Sequence, residues 1–199
     1  MTLNKVVGIR HDVSIEVAAW DGVGAAVDLS CACMFAHEIG NEPPKGGLAH
    51  LNDALGGRLL DLRKEGYFRA RAGESLLIAL PPATVSATAL LVVGLGDPEG
   101  WTAAGLSAAV QTAAVTASAL GARSVAIAPS MLDSGLPPEQ TQGAPAHMIE
   151  GLVAALDASA RLQEIGLARK PALERWFFDV GAARFEQAVE QFGAELERQ

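Results

Sequence analysis

Two loops of the sequence carry residue types that suit an anionic ligand, and each follows an apolar run. The first loop, residues 41–47, reads NEPPKGG and leads into a segment with helical periodicity. At the start of a helix, backbone N–H groups lack partners within the helix and the helix dipole favours negative charge. An ordinary strand-to-helix connection accounts for the same residues. The candidate ligand contacts in this loop are Asn41, Lys45, Gly46, Gly47 and Leu48.

The second loop, residues 130–140, reads SMLDSGLPPEQ and follows a predicted strand at residues 124–129. Loops that leave the strands of a parallel sheet meet at one edge, so we expect this loop beside other strand-exit loops. Its hydroxyl and carboxylate groups can contact a ligand, although Asp, Ser, Gly and Pro are also the ordinary residues of turns. The candidate contacts are Ser130, Asp133, Ser134 and Gly135.

A glycine-rich turn at residues 94–100, GLGDPEG, is similar to a dinucleotide-binding loop because it lies between a predicted strand and a predicted helix. However, its third glycine, Gly100, falls one position late. The carboxylates of Asp97 and Glu99 would repel a pyrophosphate, and they suit a helix N-terminus that holds no ligand. We therefore do not assign nucleotide binding to this turn.

The sequence offers no pattern typical of catalysis or metal binding. No set of His, Cys, Asp and Glu residues has the spacing of a zinc site. There is no Gly-x-Ser-x-Gly motif, and Ser134 has no evident histidine base. We predict no catalytic residue, no metal site and no cofactor.

Residues 87–130 contain the predicted secondary-structure elements that lead to the second loop and position it. Residues 90–95 and 124–129 are short apolar runs, typical of strands buried on both faces. An alanine-rich segment at residues 102–120 lies between them and predicts a helix, with Thr102 as its N-cap and Gly121 ending it. A strand, a helix and a strand in this order form a βαβ unit, which predicts a partly parallel sheet with helices on its faces.

Periodicity places the other elements around this unit. Helices are predicted at residues 48–65, with a break at Gly56 and Gly57, and at 146–165 and 182–198. Further strands are predicted as a hairpin within residues 5–20 and at 25–35, 75–80 and 173–180, and residues 136–145 are predicted as a loop. We expect one domain over residues 1–199, an α/β fold in three α/β/α layers around a mixed sheet.

Bulk composition excludes several functions. The chain has 199 residues, a formal net charge of −8 and 50% hydrophobic residues, as expected for a globular domain. An acidic chain without a Lys and Arg cluster is poorly suited to a nucleic-acid backbone. No apolar run has the length of a membrane span, and no secretion signal is evident. We predict a cytoplasmic protein that binds neither nucleic acid nor membrane, with Cys31 and Cys33 as buried thiols.

Five segments, in order along the chain, resemble the N-terminal domain of the leucyl aminopeptidase family, peptidase family M17. They are LNDALGG at 51–57, GESLL at 73–77, LVVGLG at 91–96, GARSV at 121–125 and LPPEQ at 136–140. The resemblance spans about residues 25–198, and the order and spacing of the segments make it specific. It implies a fold related to macro domains, in agreement with the α/β/α arrangement.

The resemblance also implies what the chain does. In that family the two metal ions and the catalytic lysine and arginine belong to a C-terminal domain, which this sequence does not contain. We therefore expect a stand-alone, non-catalytic domain that associates with a second copy of itself or with a protein partner, for example as the regulatory subunit of a separate peptidase.

The alternative hypothesis is a macro-like binding module for ADP-ribose or a related nucleotide. Its loops would be residues 41–48 and 130–135. The first loop departs from the macro-domain pattern, because it has Pro43, Pro44 and Lys45 where that pattern has a longer glycine run. Asp12 would contact an adenine if it ended the first strand at the cleft.

Overall fold

A computed structural model describes residues 3–20, 22–38, 45–129 and 135–199 of the chain. Two short 3-10 turns, at Ala36–Glu38 and Ala182–Arg184, accompany the regular elements. The strands are β1 (Asn4–Arg10), β2 (Val13–Ala18), β3 (Leu29–Phe35), β4 (Ser75–Ile78), β5 (Ala89–Gly96), β6 (Ser124–Ala128) and β7 (Arg175–Asp179). The helices are α1 (Gly46–Ala54), α2 (Arg58–Lys64), α3 (Gly105–Leu120), α4 (Pro138–Thr141), α5 (Ala144–Glu164) and α6 (Phe185–Glu197).

The described strands form one mixed sheet in the order β1-β2-β7-β6-β3-β5-β4. The strands from β2 to β5 in this order are parallel, and the edge strands β1 and β4 are antiparallel to their neighbours. The predicted mixed, partly parallel sheet is confirmed. The strands of the βαβ unit are not neighbours, however, because β3 lies between β5 and β6.

Helices cover both faces of the sheet, so the predicted three layers are confirmed. On the first face, α3, α5 and α6 pack against alternate strand residues such as Ile15, Cys31 and Leu91. On the second face, α1 and α2 pack against the intervening residues, such as Met34 and Val92. The alternation follows from the pleat of each strand, which sends successive side chains to opposite faces.

Small residues allow the first-face helices to pack closely. Ala109, Ala113 and Ala117 of α3 are buried against the sheet. Gly151 of α5 lies against α3, where a Cβ atom would come within 2.4 Å of the Ser107 carbonyl oxygen. This explains why the alanine-rich helix forms the packing surface for both the sheet and α5.

The break between α1 and α2 and the state of the cysteines agree with the sequence predictions. Gly56 and Gly57 have φ angles of 63° and 83°, a conformation that ends a helix and favours glycine. Cys31 and Cys33 are buried thiols. Burial raises the pKa of both, and that of Cys33 to about 12, so they are poor nucleophiles.

Two local predictions were wrong. Thr102 is not the N-cap of α3, which begins only at Gly105. The indole of Trp101 packs edge-on against Phe35, with ring centroids 5.1 Å apart, and this contact holds the preceding turn on the core before the helix starts. The predicted loop at residues 136–145 contains the short helix α4, because Pro138 presets a helical φ angle at its start.

None of the helices in the described part of the chain is long and apolar enough to cross a membrane.

Candidate functional site

A cleft of about 470 Å³ lies over the carboxyl ends of β2, β6 and β7. The chain leaves the neighbouring strands β3 and β6 toward opposite faces, to α1 on the second face and to α5 on the first. Such a divergence opens a crevice at the carboxyl ends of parallel strands, which is the usual ligand position in this fold class. The cleft has the volume of a small-molecule site.

Asp179 forms the floor of the cleft, at the end of β7. It is 5% exposed. One carboxylate oxygen accepts hydrogen bonds from the backbone N–H groups of Trp20, at 2.9 Å, and Gly181, at 3.3 Å. The other oxygen accepts from the N–H group of Gly22, at 2.9 Å. The Asp179 side chain therefore joins the segment after β2 to the turn after β7.

Two further contacts hold the segment after β2 in place. The buried Ser30 hydroxyl, on β3, donates to the Gly22 carbonyl oxygen at 3.1 Å. The Trp20 ring lies on the Phe177 ring, with centroids 4.6 Å apart. Together these contacts hold the connection between β2 and β3 across the second face and make it a fixed wall of the cleft.

Three helices begin at the cleft. Its lining includes Gly47 of α1, Ala144 and Pro145 at the start of α5, and Arg184, just before α6. The first N–H groups of a helix have no partner within the helix, and the dipole places partial positive charge there. The exposed Arg184 guanidinium adds a full positive charge at the rim. The helix starts and Arg184 favour a negatively charged ligand group placed away from the Asp179 carboxylate.

The rest of the lining is mainly apolar. Met148 and Phe192 contribute from α5 and α6, and Leu90 from the sheet. Gln187 and Gln191, on the exposed side of α6, add amide groups that can both donate and accept. An apolar interior with few polar groups is typical of a site for a small molecule with a flat or apolar part.

The structure places only part of the first predicted loop. Gly47 lines the cleft, and Lys45 and Gly46 stand beside it at the start of α1. The Leu48 side chain is buried in the second-face core and is not part of the cleft lining. Asn41 lies outside the described residues.

Most of the second predicted loop, namely Ser130, Asp133 and Ser134, also lies outside the described residues. Gly135 is exposed and has a φ angle of 77°. Ligand binding by either loop stays a prediction. The idea that Asp12 reaches an adenine at this cleft was wrong, because Asp12 lies in the β1–β2 turn, at the opposite end of β2 from Trp20.

Six residues that line the cleft were not predicted from the sequence: Trp20, Gly22, Ser30, Asp179, Gly181 and Arg184. A signal for one of them was present. The run WFFDV ends a buried strand with a single carboxylate, and a glycine follows. A polar residue at the carboxyl end of a buried parallel strand is a candidate site residue.

Metal binding has no support in the described ranges, which contain no group of three or more His, Cys, Asp or Glu side chains that could hold an ion. His147 and Glu150 form a pair at 3.2 Å, and His11 pairs with Asp157 at 2.7 Å. Two such groups are fewer than the three or four protein ligands of a zinc site.

Residues 34–164 match the family model described as "Cytosol aminopeptidase family, N-terminal domain". The chain belongs to this family. The matched residues include α1 to α5 and the strands from β4 to β6, so they contain the starts of α1 and α5 and the end of β6 that line the cleft. No curated protein matches the chain.

Solved structures show the same fold. A mutant leucine aminopeptidase from tomato superposes with a TM-score of 0.68 at 21% identity, over 89% of this chain and 35% of that one. This chain therefore spans about a third of the tomato enzyme. A macrodomain of Oceanobacillus iheyensis with ADP gives a TM-score of 0.66 at 11% identity, over 100% of this chain and 97% of that one. A Trypanosoma brucei macrodomain in complex with ADP gives 0.61 at 16% identity, over 92% and 68%. The expected macro-domain-like fold is confirmed.

Proposed function

We propose that this chain is a single, non-catalytic binding domain whose cleft accepts a nucleotide such as ADP-ribose or ADP. The observation that carries the proposal is the cleft itself, of about 470 Å³, on which the N-termini of three helices converge. Two structural neighbours, the macrodomains of Oceanobacillus iheyensis and Trypanosoma brucei described above, hold ADP. Both neighbours support the proposal through a shared fold.

The chemistry of the lining matches the parts of such a ligand. The diphosphate would lie at the first turns of α1 and α5, where backbone N–H groups donate to anions without a side-chain charge. The flat apolar part would lie against the wall that Trp20 and Val180 form. Arg184 and Gln187, at the rim, would donate to ribose oxygens or to adenine ring nitrogens.

We also infer that residues 1–199 do not hydrolyse peptides. The matched family model is that of the N-terminal domain. Peptidases with two metal ions require several converging carboxylates, and the described residues do not provide such a group. A leucine anilide assay with added manganese or zinc tests this inference, and hydrolysis by contaminant-free protein would overturn it. A cytoplasmic location is part of the same proposal, supported by the description of the family as that of cytosol aminopeptidases.

Association with a second copy or a protein partner is a second candidate function, favoured by exposed apolar side chains. Leu80 is 93% exposed, Tyr67 is 74% exposed and Val115 is 67% exposed. An exposed apolar side chain supports association when it belongs to one continuous apolar surface, and less so when it stands alone.

A thermal-shift series tests nucleotide binding. A ligand present at one hundred times its dissociation constant adds about 2.7 kcal/mol to the free energy of unfolding. For a domain of this size that is a rise in melting temperature of roughly 5–10 °C. We expect the rise with ADP-ribose and ADP, and a smaller one with ribose 5-phosphate. No rise with any nucleotide at millimolar concentration would contradict the proposal.

A charge-reversal variant tests whether the ligand binds in this cleft. Arg184→Glu places negative charge at the rim, and we expect about tenfold weaker binding, which corresponds to about 1.4 kcal/mol. The matched control is Arg161→Glu near the end of α5, which is also exposed but lies outside the cleft lining. Equal loss of affinity in both variants would place the ligand elsewhere.

A further inference from the structure

One strip of the sheet's first face has no helix over it in the described part of the chain. The helices α6, α5 and α3 lie side by side on this face, and α3 is the outermost, over β5. Beyond it lies the edge strand β4. Ser75 and Leu77 of β4 pair with Val93 and Leu91, whose side chains belong to the first-face core. Directly paired residues share a face, so Ser75 and Leu77 also point to this side, and Leu77 is 43% exposed.

The uncovered strip forms a shallow groove beside α3. A recess of about 140 Å³ lies in it. On the helix side it is lined by Gly105, Ala108 and Thr112, and on the sheet side by Ala72 and Gly73. Small residues on both sides leave room for the backbone of another helix to approach closely. The groove therefore lies where a fourth helix would pack on this face, and its shape can hold one.

The residues that line the groove carry no charge. The sequence of α3, GLSAAVQTAAVTASAL, contains no Asp, Glu, Lys, Arg or His, and neither does SLLI of β4. Every other α-helix that the structure describes contains at least one of these residues. Val115 nevertheless points outward from α3 and is 67% exposed. A helix with an exposed side but no charged residue is unusual in a chain with a net charge of −8.

We propose that a second copy of this chain docks here, with α3 of each copy placed in the vacant helix position beside α3 of the other. The proposal rests on the candidate role in association, and it is independent of nucleotide binding in the cleft. Charge decides the occupant. Two copies with a net charge of −8 repel each other. At the α3 surface they can meet without placing like charges opposite each other and without burying an unpaired charge. The helix that fits an uncharged groove of small residues is itself uncharged and small, as α3 is.

A twofold axis between the two helices makes this contact isologous, so each copy fills the groove of the other. The contact area indicates the class of interface. A helix of 16 residues is about 24 Å long and about 10 Å wide. Two helix positions give a footprint of roughly 500 Å² per copy, or roughly 1,000 Å² in total, at the lower limit for a specific interface. The structure therefore predicts a dimer that dissociates on dilution.

Sedimentation velocity over a concentration series tests the dimer. We expect the wild-type mass to rise from monomer toward dimer between micromolar and millimolar chain concentration. Val115→Glu and Ala108→Glu each place a carboxylate in the contact, and both should remain monomers over this range. Both positions are exposed in the monomer, so circular dichroism and melting should show folded variants.

Leu167→Glu is the matched control, because Leu167 is 74% exposed and lies in the segment after α5, outside the lining of the groove. It should dimerise as the wild type does. A wild-type chain that stays monomeric at millimolar concentration would overturn self-association itself. A dimer that persists in both Glu variants, or that Leu167→Glu disrupts equally, would overturn the α3 surface while leaving self-association intact.

Discussion

The Asp179 carboxylate offers the most informative perturbation, because it holds two walls of the cleft together. Asp179→Ala removes the acceptor of three backbone N–H groups, those of Trp20, Gly22 and Gly181. A hydrogen bond to a charged group contributes about 1.5–3 kcal/mol, and burial of the carboxylate offsets part of the sum. We expect a loss of about 3 kcal/mol in the free energy of unfolding.

Urea unfolding, followed by tryptophan fluorescence, measures this loss. Asp179→Asn keeps one oxygen acceptor and should lose about half as much, about 1.5 kcal/mol. Asp12→Asn is the control: the Asp12 side chain is 85% exposed and has one ion pair, with Lys170 at 3.4 Å, and Asn tolerates the left-handed backbone of residue 12 as Asp does, so its loss should stay below about 0.5 kcal/mol. An Asp179→Ala variant as stable as the Asp12→Asn variant would refute the role assigned to Asp179.

Three further predictions concern glycines and acid stability. Gly151→Val should cost more than about 2 kcal/mol in a thermal melt, because its Cβ would meet the Ser107 carbonyl oxygen at 2.4 Å; a neutral result would contradict the close packing of α3 on α5. Gly193→Ala should instead stabilise α6 by up to about 1 kcal/mol, since nothing lies within 4 Å of the added atom, and a loss would refute the helical environment assigned to it. Burial raises the pKa of Glu16, but hydrogen bonds from Arg175 and Asn4 and the Arg175 charge outweigh it, so the pKa lies below its ordinary value of 4.5. The resulting stability is complete above that value and is lost as the pH falls below it, so Glu16→Gln should flatten the acid limb of a plot of unfolding free energy against pH. An acid limb of unchanged slope would show that Glu16 is not linked to folding.

Hydrophobic patterning predicted which elements form but not their neighbours. The apolar runs of β5 and β6 and the alanine pattern of α3 are local, and each fixed its own element. Nothing in the βαβ pattern shows that β3 inserts between β5 and β6. That order is set by long-range packing, which leaves no periodic trace in the sequence.

The cleft was predictable only in part for the same reason. Gly47 was found because strand exits and helix starts are local signals. Asp179 was missed because its role depends on a partner, the N–H group of Trp20, that is 159 residues away in the chain. The start of α3 was also misplaced, since the packing of Trp101 on Phe35 outweighs the capping tendency of Thr102.

Isothermal titration calorimetry with ADP-ribose tests the central claim most directly, because it reports binding to the cleft without a label or an assay of activity. The account predicts saturable heat with one ligand per chain, and about tenfold weaker binding in Arg184→Glu but not in Arg161→Glu. A titration at millimolar ADP-ribose that releases no heat from folded protein, repeated with ADP at a second temperature, would contradict it.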